Sequence, residues 1–161
     1  MATDDLNRLN ELFDGLIQQL SPAARKQLSR DIARRLRASQ AQRIKQNKAP
    51  DSSTFEARKP QPTWAKRLGA IKKKLMFQKI IRQKYLKPEY SSQAASVGFT
   101  GFISRVATEH QYGLRGRINE RISVQYPQRE LLGFTPKERG LLEDTIVRHI
   151  MIFCKNMIFK D

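Results

Sequence analysis

Apolar positions recur along this chain at intervals of three and four, then two, then three and four again, and the changes of period divide it. Leu6, Leu9, Phe13, Leu16 and Leu20 form one helical stripe, with Thr3 as cap and Asp4 and Asp5 where the helix dipole favours negative charge. Ser21 and Pro22 predict a stop and a restart: a capping hydroxyl, then a proline at the first helical position. The helix that follows carries Leu28, Ile32, Leu36 and Ile44 at multiples of four. Its other faces bear Arg25, Lys26, Arg30, Arg34, Arg35, Arg37, Arg43 and Lys45. From Lys48 to Pro62, "KAPDSSTFEARKPQP" has no period and reads as a connecting loop. Trp64, Leu68, Ile71 and Leu75, widened by Met76, Phe77, Ile80 and Ile81, predict a helix over about 64–84, ending before Pro88.

The pattern then changes. Tyr85-Leu86 and Val97-Gly98-Phe99 flank a turn-rich centre, which predicts a hairpin with its loop around Pro88 to Gln93. Gly101 opens a short helix to about His110, with Phe102 and Val106 facing inward and Ile103 and His110 as further inward candidates; Gly113 terminates it. Ile122, Val124 and Tyr126 alternate with Ser123 and Gln125 as a strand with one buried face. Thr135-Pro136-Lys137-Glu138 supplies cap, first-position proline and capping-box glutamate in order. The closing helix aligns Leu142, Ile146, Ile150, Phe153 and Met157, and its end, "MIFCKNMIF", is apolar nearly all round, as a helix that meets a partner would be. The expected fold is α+β: an antiparallel sheet packed against long helices, with an N-terminal basic helical arm. The expected organisation is an arm over 1–49, a linker loop over 50–63 and an α+β body over 64–161.

Charge sharpens this picture. Lys and Arg number 31 against 15 acids, a net +16. Residues 21–49 hold nine bases and one acid, and residues 58–87 hold eleven bases and no acid, whereas the chain from Ser91 onward is nearly balanced. Positive charge in the middle third calls for a polyanion or an acidic protein as neighbour. Arg30, Arg34, Arg35, Arg37, Lys72, Lys73 and Lys74 are the candidate contacts to DNA or to such a partner. One cysteine, Cys154, excludes an intramolecular disulfide and suits a reducing place of folding. No apolar run approaches the roughly 18 to 20 residues of a membrane span, so a soluble chain without an export signal or membrane partner is expected.

Catalytic chemistry finds few candidates. His110 and His149 are the only histidines, and Cys154 follows His149 by five residues, off the spacing of one helix face. The stretches "GFTG" at 98–101 and "GLRG" at 113–116 lack the spacing and lysine of a phosphate loop. No dense acidic cluster is present that could hold magnesium. The reading is of a protein that is not an enzyme, with no catalytic, metal or cofactor site. Within "QYPQRELLGFTPKERGLL", at 125–142, Tyr126 ends a strand, Gly133 can take a positive φ, and Thr135 starts the last helix. Arg129 is left over: it can clamp carbonyls or a carboxylate of its own domain, or reach a neighbour.

The segments "LSPAARKQLSRDIARRLRASQAQRI", "APDSSTFEARKP", "KKKLMFQKI", "VGFTGFISRVATEHQYGLR" and "YPQRELLGFTPKE", in this order from about Leu12 to Ile150, resemble the phage virion morphogenesis family, the tail completion proteins of contractile-tailed phages. His-Gln-Tyr-Gly at 110–113 followed by Arg-Glu-Leu-Leu-Gly-Phe at 129–134 is the most specific combination. Where that family commonly has Pro-Asp-Gly, this chain has Pro50-Asp51-Ser52. The resemblance implies a structural virion protein assembled in the host cytoplasm, which finishes the tail at the head-tail junction as a homo-oligomeric ring. It implies sixfold symmetry, with tail tube, sheath and neck proteins as partners and DNA passing through the channel. Arg129, Leu131, Leu132 and Phe134 would then hold a junction near the subunit boundary, and Phe153 and Met157 would face a neighbouring subunit. The competing expectation is a free basic nucleic-acid-binding protein without catalytic activity.

Overall fold

The structure is a computed structural model describing residues 11, 14–57, 76–117 and 120–158. In chain order it comprises helix α1 (Pro22–Lys45), strands β1 (Leu86–Tyr90) and β2 (Ala95–Phe99), helix α2 (Phe102–Gln111), strands β3 (Arg115–Arg117) and β4 (Ser123–Gln125), and helix α3 (Pro136–Ile158). The fold is mixed α+β. In place of the single expected sheet there are two separate two-stranded ones, β1 with β2 and β3 with β4.

Local chemistry explains most boundaries. Residues 14–19 are helical and Leu20 is buried, while Leu6, Leu9 and Phe13 of the expected first stripe lie outside the described residues. Ser21 then caps α1: its Oγ accepts from Ala24 N at 3.2 Å and its carbonyl from Arg25 N at 2.9 Å. Leu28, Leu36 and Ile44 are buried along α1, as the period of four requires. The helix ends on Asn47, whose φ of 63° is the left-handed conformation. Lys48 N bonds Arg43 O at 3.3 Å and Asn47 N bonds Ile44 O at 3.0 Å, the paired closure that satisfies the last carbonyls of a helix. Gly113 does the same for α2 at φ 62°: Leu114 N bonds Glu109 O at 2.7 Å and Gly113 N bonds His110 O at 3.4 Å.

Chain contacts divide the protein into two compact units. The first comprises residues 1–35, 88–96 and 136–161. In it, His149 Nε2 on α3 meets Asp31 Oδ2 on α1 at 2.9 Å. Leu20, Leu28, Ala33, Thr145 and Ile150 are its buried apolar and small side chains. The second comprises residues 36–87 and 97–135. Its core is the cluster of Ile44, Ala49, Phe55, Met76, Ile80, Ile103, Ala107 and Leu131, against which Phe77, Ile81, Tyr85 and Phe99 pack. Burying each of the larger of these side chains contributes about 1.5–3 kcal/mol.

Three expectations are corrected here. Of the helix expected over 64–84, residues 64–75 lie outside the described residues, and residues 76–85 form successive turns. Phe77 has φ 64°, which no right-handed helix admits, and the bonds from Ile80 N to Phe77 O and from Tyr85 N to Arg82 O each span three residues. That bend lets the Phe77 ring meet Phe55 edge-on, at 5.6 Å between centroids. On α2 the inward face is Ile103 and Ala107, while Phe102 is 72% exposed and Val106 is exposed as well. The helix is rotated by one position because alanine at 107 permits the close approach that valine would obstruct. The β1–β2 hairpin forms as expected, but its turn lies at 91–94, with Pro88 inside β1; a two-stranded sheet has only edges, where proline is tolerated.

Candidate functional site

The stretch from 128 to 135 runs without strand or helix, although Leu131 within it is fully buried. Buried backbone polar groups need partners, and here side chains supply them. Gln111, the last residue of α2, does most: its Oε1 accepts from Leu131 N at 2.8 Å and Leu132 N at 2.9 Å, and its Nε2 donates to Leu132 O at 2.9 Å. From α1, Arg43 donates to Leu131 O at 2.9 Å and Lys48 O at 3.0 Å, and its second terminal nitrogen also contacts Gln40 Oε1. Gln40 Nε2 in turn donates to Gly133 O at 2.7 Å. Gly133 does not have the expected positive φ; its lack of a side chain serves close approach instead, since a Cβ would lie 2.6 Å from Pro50 Cγ and from Glu130 Oε1.

Arg129 is 5% exposed and takes the first of its two expected roles, clamping carbonyls of its own unit. Its Nε donates to Glu56 O at 2.8 Å, one terminal nitrogen donates to Ala57 O at 3.2 Å, and the other stands 3.1 Å from His110 Nδ1. Its backbone N donates to His110 O at 2.7 Å. A guanidinium has only donors, so His110 Nδ1 accepts and the ring proton sits on Nε2. The ring is held between Phe77, at 5.0 Å, and Tyr126, at 4.5 Å. His110 is thus a structural acceptor at the centre of the junction. Next to it, Pro50-Asp51-Ser52 turns with Ser52 at φ 70°, the conformation in which glycine is most at ease. Ser53 Oγ and Ser53 N both donate to Asp51 Oδ1, at 2.6 and 2.9 Å, and these bonds, the side-chain one foremost, hold the Asp51 carboxyl below its ordinary range.

The remaining candidates are placed as follows. Arg34 is exposed on α1, with Arg30 and Arg35 half-buried. Arg37 is engaged in its own unit, donating to Leu86 O at 3.1 Å and Ile81 O at 3.0 Å. Lys72, Lys73 and Lys74 lie outside the described residues, as does the side chain of Met157. Leu131 is buried, Leu132 and Phe153 are half-buried, and Phe134 is 57% exposed. His149 pairs with Asp31, and Cys154 is half-buried. Among the described residues no three His, Cys, Asp or Glu side chains gather as a metal site would need, and no helix is long and apolar enough to cross a membrane.

Sequence reasoning missed Gln40 and Gln111 and put Arg43 on an outer face. One signal was available for Gln40: it occupies the gap between Leu36 and Ile44 in an otherwise apolar stripe of period four, and it is 5% exposed.

Comparison with known proteins bears on the chain as a whole. No solved structure matches. Tail completion protein S of Escherichia phage P2 is 36% identical over 149 residues, covering 91% of this chain and 98% of that protein. The sequence pattern of the phage virion morphogenesis family, a structural and non-catalytic one, matches residues 4–151, so the His110–Gly113 and Arg129–Phe134 segments that meet in the junction, and the chain around them, belong to the phage virion morphogenesis family.

Proposed function

We propose that this chain is a tail completion protein of a contractile-tailed phage, acting in the virion as a ring at the head-tail junction, where it terminates the tail and joins it to the neck. The observation that carries the reading is the end-to-end similarity to a tail completion protein: 36% identity covering 98% of the relative leaves no large segment of it unaccounted for. The junction supports a structural use, because its polar side chains are engaged in holding backbone. On α3, Val147 is 39% exposed, Met151 67% and Ile152 53%, an apolar strip suited to a neighbouring subunit. The ring is sixfold, matching a tail tube, and Phe153 and Met157 extend the contact.

In this reading the basic surface expected of an arm over 1–49 is the outward face of α1, where Arg30, Arg34 and Arg35 meet acidic neighbours or DNA in the channel, with Lys72, Lys73 and Lys74 as further contacts, while Gln40, Arg43 and Ile44 of the same helix stay with the fold. Arg37 serves the fold. The test is complementation of a phage lacking its tail completion gene, read by electron microscopy of the lysate. Wild-type chain should restore joined particles. Arg34→Glu/Arg35→Glu should leave filled heads and separate tails while the purified variant melts as wild type does. Normal infectious particles from that variant would overturn the arm's role. A Met151→Glu/Ile152→Glu chain whose light-scattering mass still equals a wild-type ring would overturn the α3 contact.

A further inference from the structure

A cationic face is formed by residues outside every basic segment singled out in the sequence. The antiparallel register of β3 and β4 sets Arg115 opposite Gln125, Gly116 opposite Val124 and Arg117 opposite Ser123. Side chains alternate along strands, so Arg115, Arg117, Ser123 and Gln125 share one face, while Gly116 and Val124 share the other. The second face is fixed to the unit. Gly116 is buried, and a Cβ there would overlap the Glu109 carboxylate of α2 and the Tyr126 ring. With no side chain at 116 the strand lies flat on α2, and the alternation turns both arginines to solvent, where they are exposed.

Arg115 has no partner among the described residues, and Arg117 uses one terminal nitrogen on Glu120 O at 3.1 Å. The Gln125 amide braces the base of the hairpin by donating to Gly113 O. Neither strand contains a carboxylate. Glu109, beneath, is paired with Arg105 at 2.8 Å, so it does not cancel the charge above it. Among the described residues the outer face also has no apolar side chain, and so lacks the aromatic or aliphatic anchor on which protein interfaces depend. Two guanidinium groups two residues apart on one face stand about 7 Å apart. Each strand of duplex DNA presents a charge about every 3.4 Å of its axis, so such a pair can engage phosphates of one strand together.

We propose that the outer face of the β3–β4 hairpin binds the sugar-phosphate backbone of duplex DNA, without base reading, through Arg115 and Arg117. This contact is separate from the tail-completion role and is measurable on the purified chain. The experiment is fluorescence anisotropy of a labelled duplex of arbitrary sequence, titrated with full-length chain from about 50 to 200 mM salt. Arg115→Gln/Arg117→Gln should flatten the slope of log affinity against log salt by about 1.8, or about 0.9 per lost phosphate contact, and Arg115→Gln alone by about 0.9. Arg139→Gln/Arg148→Gln removes equal charge from exposed positions on α3 and should change the slope by less than half as much. Melting curves matching wild type establish that each variant is folded, and Arg115→Gln, which breaks no internal bond, stands in if the double variant is not. Failure of wild type to bind duplex at the lowest salt, an unchanged slope in the hairpin variants, or an equal drop in the α3 control would each overturn the proposal. So would loss of binding to polyglutamate with duplex binding intact, which would make the face a site for an acidic protein.

Discussion

Replacing Gln111 with alanine removes three hydrogen bonds at once, two accepted from Leu131 N and Leu132 N and one donated to Leu132 O. A neutral hydrogen bond contributes about 0.5–1.5 kcal/mol net, and a buried donor left without a partner costs about 1–3 kcal/mol. Leu131 is fully buried, so its N–H stays dry in the variant, whereas Leu132 is half-buried and water can reach part of what it loses. The expected destabilisation is about 3 kcal/mol, which for a chain of this size lowers Tm by roughly 6–12 °C. Urea unfolding followed by circular dichroism measures it. Gln111→Glu separates acceptor from donor: one carboxylate oxygen still accepts from both N–H groups, while the other now faces the Leu132 carbonyl. It should lose about 1–2 kcal/mol at neutral pH and regain part of that in acid, where a protonated carboxyl donates again. An alanine variant within about 0.5 kcal/mol of wild type would refute the view that side chains hold this segment's backbone.

Other expected outcomes follow from the same geometry. Arg129→Lys keeps the charge but cannot reach Glu56 O, Ala57 O and His110 Nδ1 together, so it should cost about 2 kcal/mol and open residues 55–57 to limited proteolysis. Gly113→Ala places a Cβ 2.9 Å from Gln128 N on a backbone at φ 62° and should cost about 2–4 kcal/mol by thermal melting. Asp51 has a folded pKa below its ordinary 3.8, so its contribution is present above that value and is lost as pH falls through the folded one. The melting difference between wild type and Asp51→Ala should therefore be constant near neutrality and shrink only below about pH 4.

The parts of the fold legible in the sequence were those with local causes. Ser21-Pro22, Gly101, Gly113 and Thr135-Pro136 each mark a helix end where the structure has one, because caps and left-handed residues act within a turn of their own position. The strand at 122–126 was legible from its alternation, but its partner β3 was not, since Arg-Gly-Arg has no apolar residue to alternate. The turns at 76–85 were hidden for a related reason: Met76, Phe77, Ile80 and Ile81 have helical spacing, yet Phe77 meets Phe55 and His110, which are distant in sequence. At the junction, Arg129 stood out because no local rule used it. Gln111 and Arg43 did not, because a glutamine or arginine on a helix looks solvated until the carbonyl it serves, 21 or 88 residues away, is brought beside it.

The main chain of residues 129–133 is held by atoms of His110, Gln111, Gln40 and Arg43, while the side chain of Phe134 just beyond it is exposed. Shape and surface are therefore encoded in different stretches of the gene. Mutation can rewrite what this segment displays to its surroundings without moving the ribbon that displays it, which lets a phage lineage adapt the segment to altered contacts while its architecture stays constant.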